Sequence, residues 1–147
     1  MNRILVGLAS LLLLLGGSWH TSAQAGAYRA VIGNIVFYDL DADGIQDSSE
    51  PGYADVTVYL YNDVDLDGLP EPGGDDGNAL AMTTTDADGR YTFDIANGVN
   101  DSYFLQFIVP SGQDIALTTY NADDGHADAE ARDSDVDPEK TLTAVFT

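Results

Sequence analysis

Apolar positions in this chain come in short bursts between polar, glycine-containing segments, and the bursts carry the two-residue period of strands. Ala30 to Tyr38 (A-V-I-G-N-I-V-F-Y) is rich in β-branched and aromatic residues. Val56 to Tyr61 alternates, with Val56, Val58 and Leu60 on one face and Thr57, Tyr59 and Tyr61 on the other. Leu80 to Thr85 and Arg90 to Ile95 flank Asp86-Ala87-Asp88-Gly89, which reads as a β-hairpin turn. Ser102 to Val109 is apolar on both faces, as a central strand would be, and Ile115 to Tyr120 and Thr141 to Thr147 complete the set. No window shows a helical period with caps. The string predicts an all-β fold, a seven-stranded Greek-key β-sandwich.

The first residues follow a different pattern. Arg3 precedes Ile4-Leu5-Val6-Gly7-Leu8-Ala9-Ser10 and the run Leu11 to Leu15, and Ala23-Gln24-Ala25 supplies small residues at peptidase spacing. A positive end, an apolar core of about a dozen residues and an A-x-A site predict a secretory signal peptide over residues 1–25. The core is shorter than the ~20 residues a membrane span needs, which argues against an uncleaved anchor. The remaining domain, 26–147, has no second span-like segment, so the expected destination is secreted, extracellular or on the cell surface.

Charge sharpens this picture. The chain has 147 residues, 5 basic against 25 acidic, a net charge of −20 and no cysteine. Such a surface is unfit for nucleic acid or anionic membranes, which need a cationic face. Without cysteine, disulfides and thiolate metal sites are excluded, so an exported domain needs another staple. Its 44% hydrophobic and 10% aromatic content is too high for a disordered acidic tail. Beyond residue 25 only Arg29, Arg90, Arg132 and Lys140 face all 25 acids, a net charge of −21.

The acids cluster in loops. From Asp39 as position one, carboxylates fall at one, three, five, nine and twelve (Asp39, Asp41, Asp43, Asp47, Glu50), with Gly44 at six. Calcium is a hard cation that takes six to eight oxygens, and this spacing wraps a chain around it. Ile45 offers its carbonyl and Glu50 both carboxylate oxygens. An acidic surface turn is the competing reading, but it gives no reason for Gly at six together with Glu at twelve. A strand-like segment enters the loop and Pro51 follows Glu50, so the helix-loop-helix setting is excluded.

A second cluster repeats the start, with Asp63, Asp65, Asp67, Gly68 and Glu71 at one, three, five, six and nine. Position twelve is Gly74, so the closing ligand is missing there, although Asp75 and Asp76 follow at once. A weaker calcium site and a solvated acidic loop both fit. A third group runs from Asp123-Asp124-Gly125 through Asp128 and Glu130 to Asp133-Ser134-Asp135-Val136-Asp137-Pro138; its alternating acids put three carboxylates on one side of an extended segment and on their own are equally consistent with ligand or solvated acid. Asp86 and Asp88 read as turn residues.

The segments Ile32 to Val58, Thr84 to Phe93, Tyr103 to Gly112 and Asp133 to Pro138 together resemble the B-type repeat of serine-aspartate repeat surface proteins. The resemblance implies a calcium-stiffened sandwich related to collagen-adhesin B-type and transthyretin-like (prealbumin-like) folds, used as a rigid stalk or spacer. It also implies that Asp133, Asp135 and Asp137 join the loop acids around calcium. Relatives of this kind can carry a Lys–Asn isopeptide bond. Here the only lysine is Lys140, near the last strand, and no such bond is expected.

An enzyme is not expected. His126, the one histidine after residue 25, lies in an acidic glycine-containing loop with no nucleophile elbow, and zinc sites usually ask for more imidazoles or thiolates. The other class to weigh is a binding module for surface proteins or glycans, using Tyr59, Tyr61 or Tyr120 beside loop acids. It requires those tyrosines to be exposed.

Overall fold

A computed structural model describes residues 2–6, 29–96, 102–111, 115–118, 134, 136–137 and 139–146. Among these, every regular element is a strand: β1 (Asn2–Val6), β2 (Arg29–Asp39), β3 (Thr57–Asn62), β4 (Ala81–Thr84), β5 (Arg90–Ala96), β6 (Tyr103–Ile108), β7 (Ile115–Leu117), β8 (Val136–Asp137) and β9 (Leu142–Thr143). The seven expected strands correspond to β2 to β7 and β9. No helix of the described residues is long and apolar enough to cross a membrane.

The strands form two sheets, ordered β5-β2-β1-β7 and β4-β3-β6-β9-β8. The chain leaves β2 for the second sheet, returns at β5 to pair with β2, and crosses again to place β6 against β3. This gives the sandwich its Greek-key path. Val36, Val56, Val58, Leu105 and Phe107 are buried between the layers, where Tyr91 meets the Phe107 ring edge-on at 5.6 Å. β6 lies between β3 and β9, and this position accounts for its apolar residues on both faces.

Two features differ from the sequence reading. The Asp86–Gly89 turn does not close a hairpin: β4 pairs with β3 and β5 with β2, so the turn carries the chain between sheets. Its local chemistry is that of a tight turn, with Asp86 Oδ1 accepting the N–H groups of Asp88 and Arg90, both at 2.9 Å. Tertiary contact sets its partner. The Val36 N–H donates to Gly89 O, and a Cβ on Gly52 would lie 1.9 Å from Asp88 O. The second feature is β1, drawn from the segment read as a leader. In the full chain it is antiparallel to β2 and parallel to β7, and cleavage near Ala25 would take it out of the sheet. Ala23 to Ala25 lie outside the described residues.

Candidate metal centre

The first acidic loop leaves β2 at Asp39 and comes back to the sheet at Gly52, which bridges to Phe37. Its side chains fold inward onto the loop's own amides. Asp39 is buried, its Oδ1 accepting the Ala42 N–H at 2.6 Å and its Oδ2 the Gly44 N–H at 3.1 Å. Asp41 Oδ1 accepts from Asp43 at 3.4 Å, and Asp43 Oδ1 from Ile45 at 2.7 Å. Glu50, also buried, reaches back across the loop: Oε1 accepts the Leu40 N–H at 2.6 Å and Oε2 the Asp47 N–H at 3.0 Å. Ala42 and Gly44 hold positive φ of 66° and 85°, and the glycine at position six takes the sharper left-handed turn without a Cβ penalty.

Asp39, Asp41 and Asp43 thereby bring a carboxylate oxygen each to within 4.8 Å of one another. The Glu50 carboxyl is pushed up from its ordinary value first by burial and then by Asp39 and Asp41, which places its charge against theirs. Burial, followed by Asp41, Asp39 and Asp47, raises Asp43 in the same way. Asp47 is exposed and outside the trio, and Ile45 is buried beside it. The donor set is all oxygen, and among the described residues no ion pair balances the packed negative charge. This suits a hard divalent cation.

The second loop leaves β3 with the same layout. Asp63, Asp65 and Asp67 form a second trio within 4.8 Å, and Asp65, Glu71 and Asp75 a third that shares Asp65. Asp63 Oδ2 accepts from Gly68 at 3.2 Å, Asp65 Oδ1 from Asp67 at 3.3 Å and Asp67 Oδ1 from Leu69 at 2.7 Å. Leu66 and Gly68 take positive φ of 60° and 79°, at the same two positions as Ala42 and Gly44. Burial first, and then Asp67, Asp76 and Asp63, push the Asp65 carboxyl up.

The sequence profile of the SdrD B-like domain matches residues 30–147. The chain belongs to this family. Among curated relatives, it is 34% identical over 120 residues to serine-aspartate repeat-containing protein D of Staphylococcus aureus strain Newman, covering 80% of this chain and 8% of that protein. Protein E of strain USA300 is 32% identical over 120 residues, 79% of this chain and 9% of the relative. The fibrinogen-binding protein of Staphylococcus epidermidis is 32% identical over 127 residues, 84% and 10% respectively. The chain thus spans about a tenth of the length of these relatives. No solved structure matches it significantly.

The family's late acidic segment reaches the first loop at one described point: the Ser134 N–H donates to Gly44 O at 3.1 Å, and Ser134 is buried there. Asp133 and Asp135 lie outside the described residues. Asp137 sits on β8 and belongs to none of the three trios, with Oδ1 accepting the Glu139 N–H at 2.9 Å and Oδ2 3.1 Å from Lys140 Nζ. That backbone donor, followed by the lysine, lowers its carboxyl below the ordinary range.

Sequence reasoning missed Thr118, whose buried hydroxyl donates to Asp39 Oδ2 and braces that aspartate from β7's end. Nothing in local spacing marks a partner so distant along the chain. Of the tyrosines weighed for binding, Tyr61 is buried, stacked on Phe104 at 5.0 Å, with its hydroxyl donating to Gln106. Tyr59 is half-buried beside it at 6.5 Å, and Tyr120 lies outside the described residues.

Proposed function

We propose that this chain is an exported, cell-surface module stiffened by calcium, a rigid spacer or scaffold with no catalytic role. The observation that carries the reading is the first loop, where Asp39, Asp41 and Asp43 bring their oxygens together and Glu50 reaches back onto the loop amides. Family membership supports the surface setting. Asp39, Asp41, Asp43, Glu50, the Ile45 carbonyl and Asp47 would hold one calcium ion, Asp63, Asp65 and Asp67 a second, and Asp133, Asp135 and Asp137 complete the set the family resemblance implies.

Two unit charges 4 Å apart repel by about 1 kcal/mol in bulk water and more where water is partly excluded. Calcium turns that repulsion into coordination and fixes the loops that follow β2 and β3. An ion that binds only the folded domain, at about 100 times its dissociation constant, adds roughly 2.7 kcal/mol. This is a sizeable part of the ~5–15 kcal/mol that holds a domain of this kind together. Calcium would therefore set whether the module is stiff.

The alternative, a binding module built on exposed tyrosines and loop acids, loses support from the burial of Tyr61. The fibrinogen binding named for one relative belongs to a protein about ten times longer. Thermal melting in millimolar calcium and in excess EDTA tests the proposal. The midpoint is expected to fall by roughly 10 °C in chelator. An unchanged midpoint, together with no effect of alanine at Asp41 and Glu50, would sink it.

A further inference from the structure

In the second loop position twelve is Gly74, which offers no side chain. Asp76, at position fourteen, does there what Glu50 does in the first loop. Its Oδ1 accepts the N–H of Val64, at position two, at 2.9 Å, and its Oδ2 that of Glu71, at position nine, at 2.8 Å. Glu50 takes the N–H groups of Leu40 and Asp47, again positions two and nine. The same two donors hold both carboxylates, so the two stand at equivalent places relative to their loops. The Gly74 N–H closes a turn onto Glu71 O at 2.9 Å, as the Glu50 N–H does onto Asp47 O at 3.0 Å. The extra Asp75-Asp76 step thus enters after a shared turn. An aspartate is one methylene shorter than glutamate, and two added residues make up the reach.

A separate observation points to a ligand. Asp63 is 2% exposed, and its Oδ1 is buried with no hydrogen-bond donor among the described residues. Burying a carboxylate oxygen without a partner costs several kcal/mol, so such an atom is retained where something else meets it. Asp63 belongs to the Asp65–Asp67 trio, where the only charge that could satisfy three carboxylates is a cation. Its counterpart Asp39 has both oxygens occupied by amides and the Thr118 hydroxyl. Each Asp76 oxygen accepts one N–H and keeps a lone pair for a metal.

We propose that Asp76 is the closing ligand of a fourteen-residue cation loop, holding an oxygen-seeking divalent ion with Asp63, Asp65 and Asp67. The ion's identity as calcium rests on the reading of the first loop. The exposed neighbour Asp75, equally acidic in sequence, is not the closing group, because it lacks the two loop amides that orient Asp76.

Native mass spectrometry and calcium calorimetry on the intact chain, with Asp76→Asn, Asp75→Asn and Glu50→Gln variants, test the assignment. Asp76→Asn is expected to bind one ion fewer than wild type, or to weaken one site at least tenfold, while Asp75→Asn, at the exposed edge of the cluster, weakens binding clearly less than Asp76→Asn does. Glu50→Gln is expected to lose a different ion, so the two changes add in the double variant. If Asp76→Asn does not fold, Asp65→Asn, at an exposed position, reads the same site. Loss of an ion in Glu50→Gln but not in Asp76→Asn or Asp65→Asn overturns the second loop and leaves the first standing. A wild-type chain that binds no calcium overturns both.

Discussion

Two acidic loops, one after a strand of each sheet, share a layout and receive different amounts of help from the rest of the fold. The loop after β2 has its first aspartate satisfied by Ala42, Gly44 and Thr118, and its outer carbonyl at Gly44 is met by Ser134. The loop after β3 keeps the side-chain-to-amide skeleton, but Asp63 Oδ1 has no partner, and Val64, Leu66 and Leu69 stand exposed along it. The comparison teaches that spacing sets where carboxylates converge, while tertiary contacts set how firmly the loop is held. The first loop is braced by the fold, and the second keeps a buried carboxylate oxygen that the described residues leave unmet.

The glycines give the sharpest way to break the comparison. Gly52, just beyond Glu50, crosses the Asp86–Gly89 turn so closely that any Cβ would strike backbone, whereas Gly73 has nothing within 4 Å. Gly52→Ala is expected to cost at least about 3 kcal/mol, enough to abolish cooperative unfolding or to lower its midpoint sharply. Gly73→Ala carries only the positive-φ penalty, about 1 kcal/mol, in the same denaturation experiment. Equal effects would mean that the crossing at Gly52 does not anchor the first loop.

Next in size is the calcium increment. Glu50→Gln and Asp76→Asn should each remove roughly 2.7 kcal/mol of stabilisation in saturating calcium, beyond a smaller loss shared by the EDTA form because an amide offers one acceptor oxygen where the carboxylate offered two. A variant that loses as much in EDTA as in calcium acts through packing and not through the ion. Hydrogen exchange separates the loops further. With calcium removed, the Gly68 and Leu69 amides are expected to exchange at least tenfold faster than those of Gly44 and Ile45, because Asp63 lacks the brace that Asp39 has. Similar rates would erase the distinction between braced and unbraced.

The sequence made the strand content, the two-sheet class and the first loop readable, because each depends on local period or fixed spacing. Sheet membership was less accessible: Asp86-Ala87-Asp88-Gly89 looks like a hairpin turn, and only the contact with Val36 and Gly52 sends β5 to β2. Tyr61 alternates as a surface residue yet is covered by Phe104 and Leu142 in a smaller cluster behind the sheet. Asp76 escaped a twelve-residue template by two positions. Thr118 carries no motif at all, since its role comes from where β7 ends.

The smallest effects are electrostatic. The Asp43 and Glu50 carboxyls are raised in the folded state by burial and by neighbouring acids, so at neutral pH their ionisation opposes folding when no ion is present. Chelated protein should therefore gain stability as pH falls from 7 through these raised values towards the ordinary 3.8 and 4.5, while the calcium increment shrinks as protons compete for the ligands. Asp43→Asn, at a mostly exposed position, should stabilise the EDTA form by less than about 1 kcal/mol and destabilise the calcium form. Melting curves at pH 5 and 7 read both signs, and a chelated protein that weakens on acidification would reverse the argument.

The most direct test of the two-loop account is the dependence of unfolding free energy on free calcium. Each ion held only by the folded chain adds about 1.4 kcal/mol per tenfold rise in calcium above its dissociation constant. The account predicts that the wild-type slope exceeds that of Glu50→Gln by one ion's worth, exceeds that of Asp76→Asn by the same amount, and exceeds the double variant's by two. A flat wild-type line, or slopes that do not change with either substitution, would contradict it.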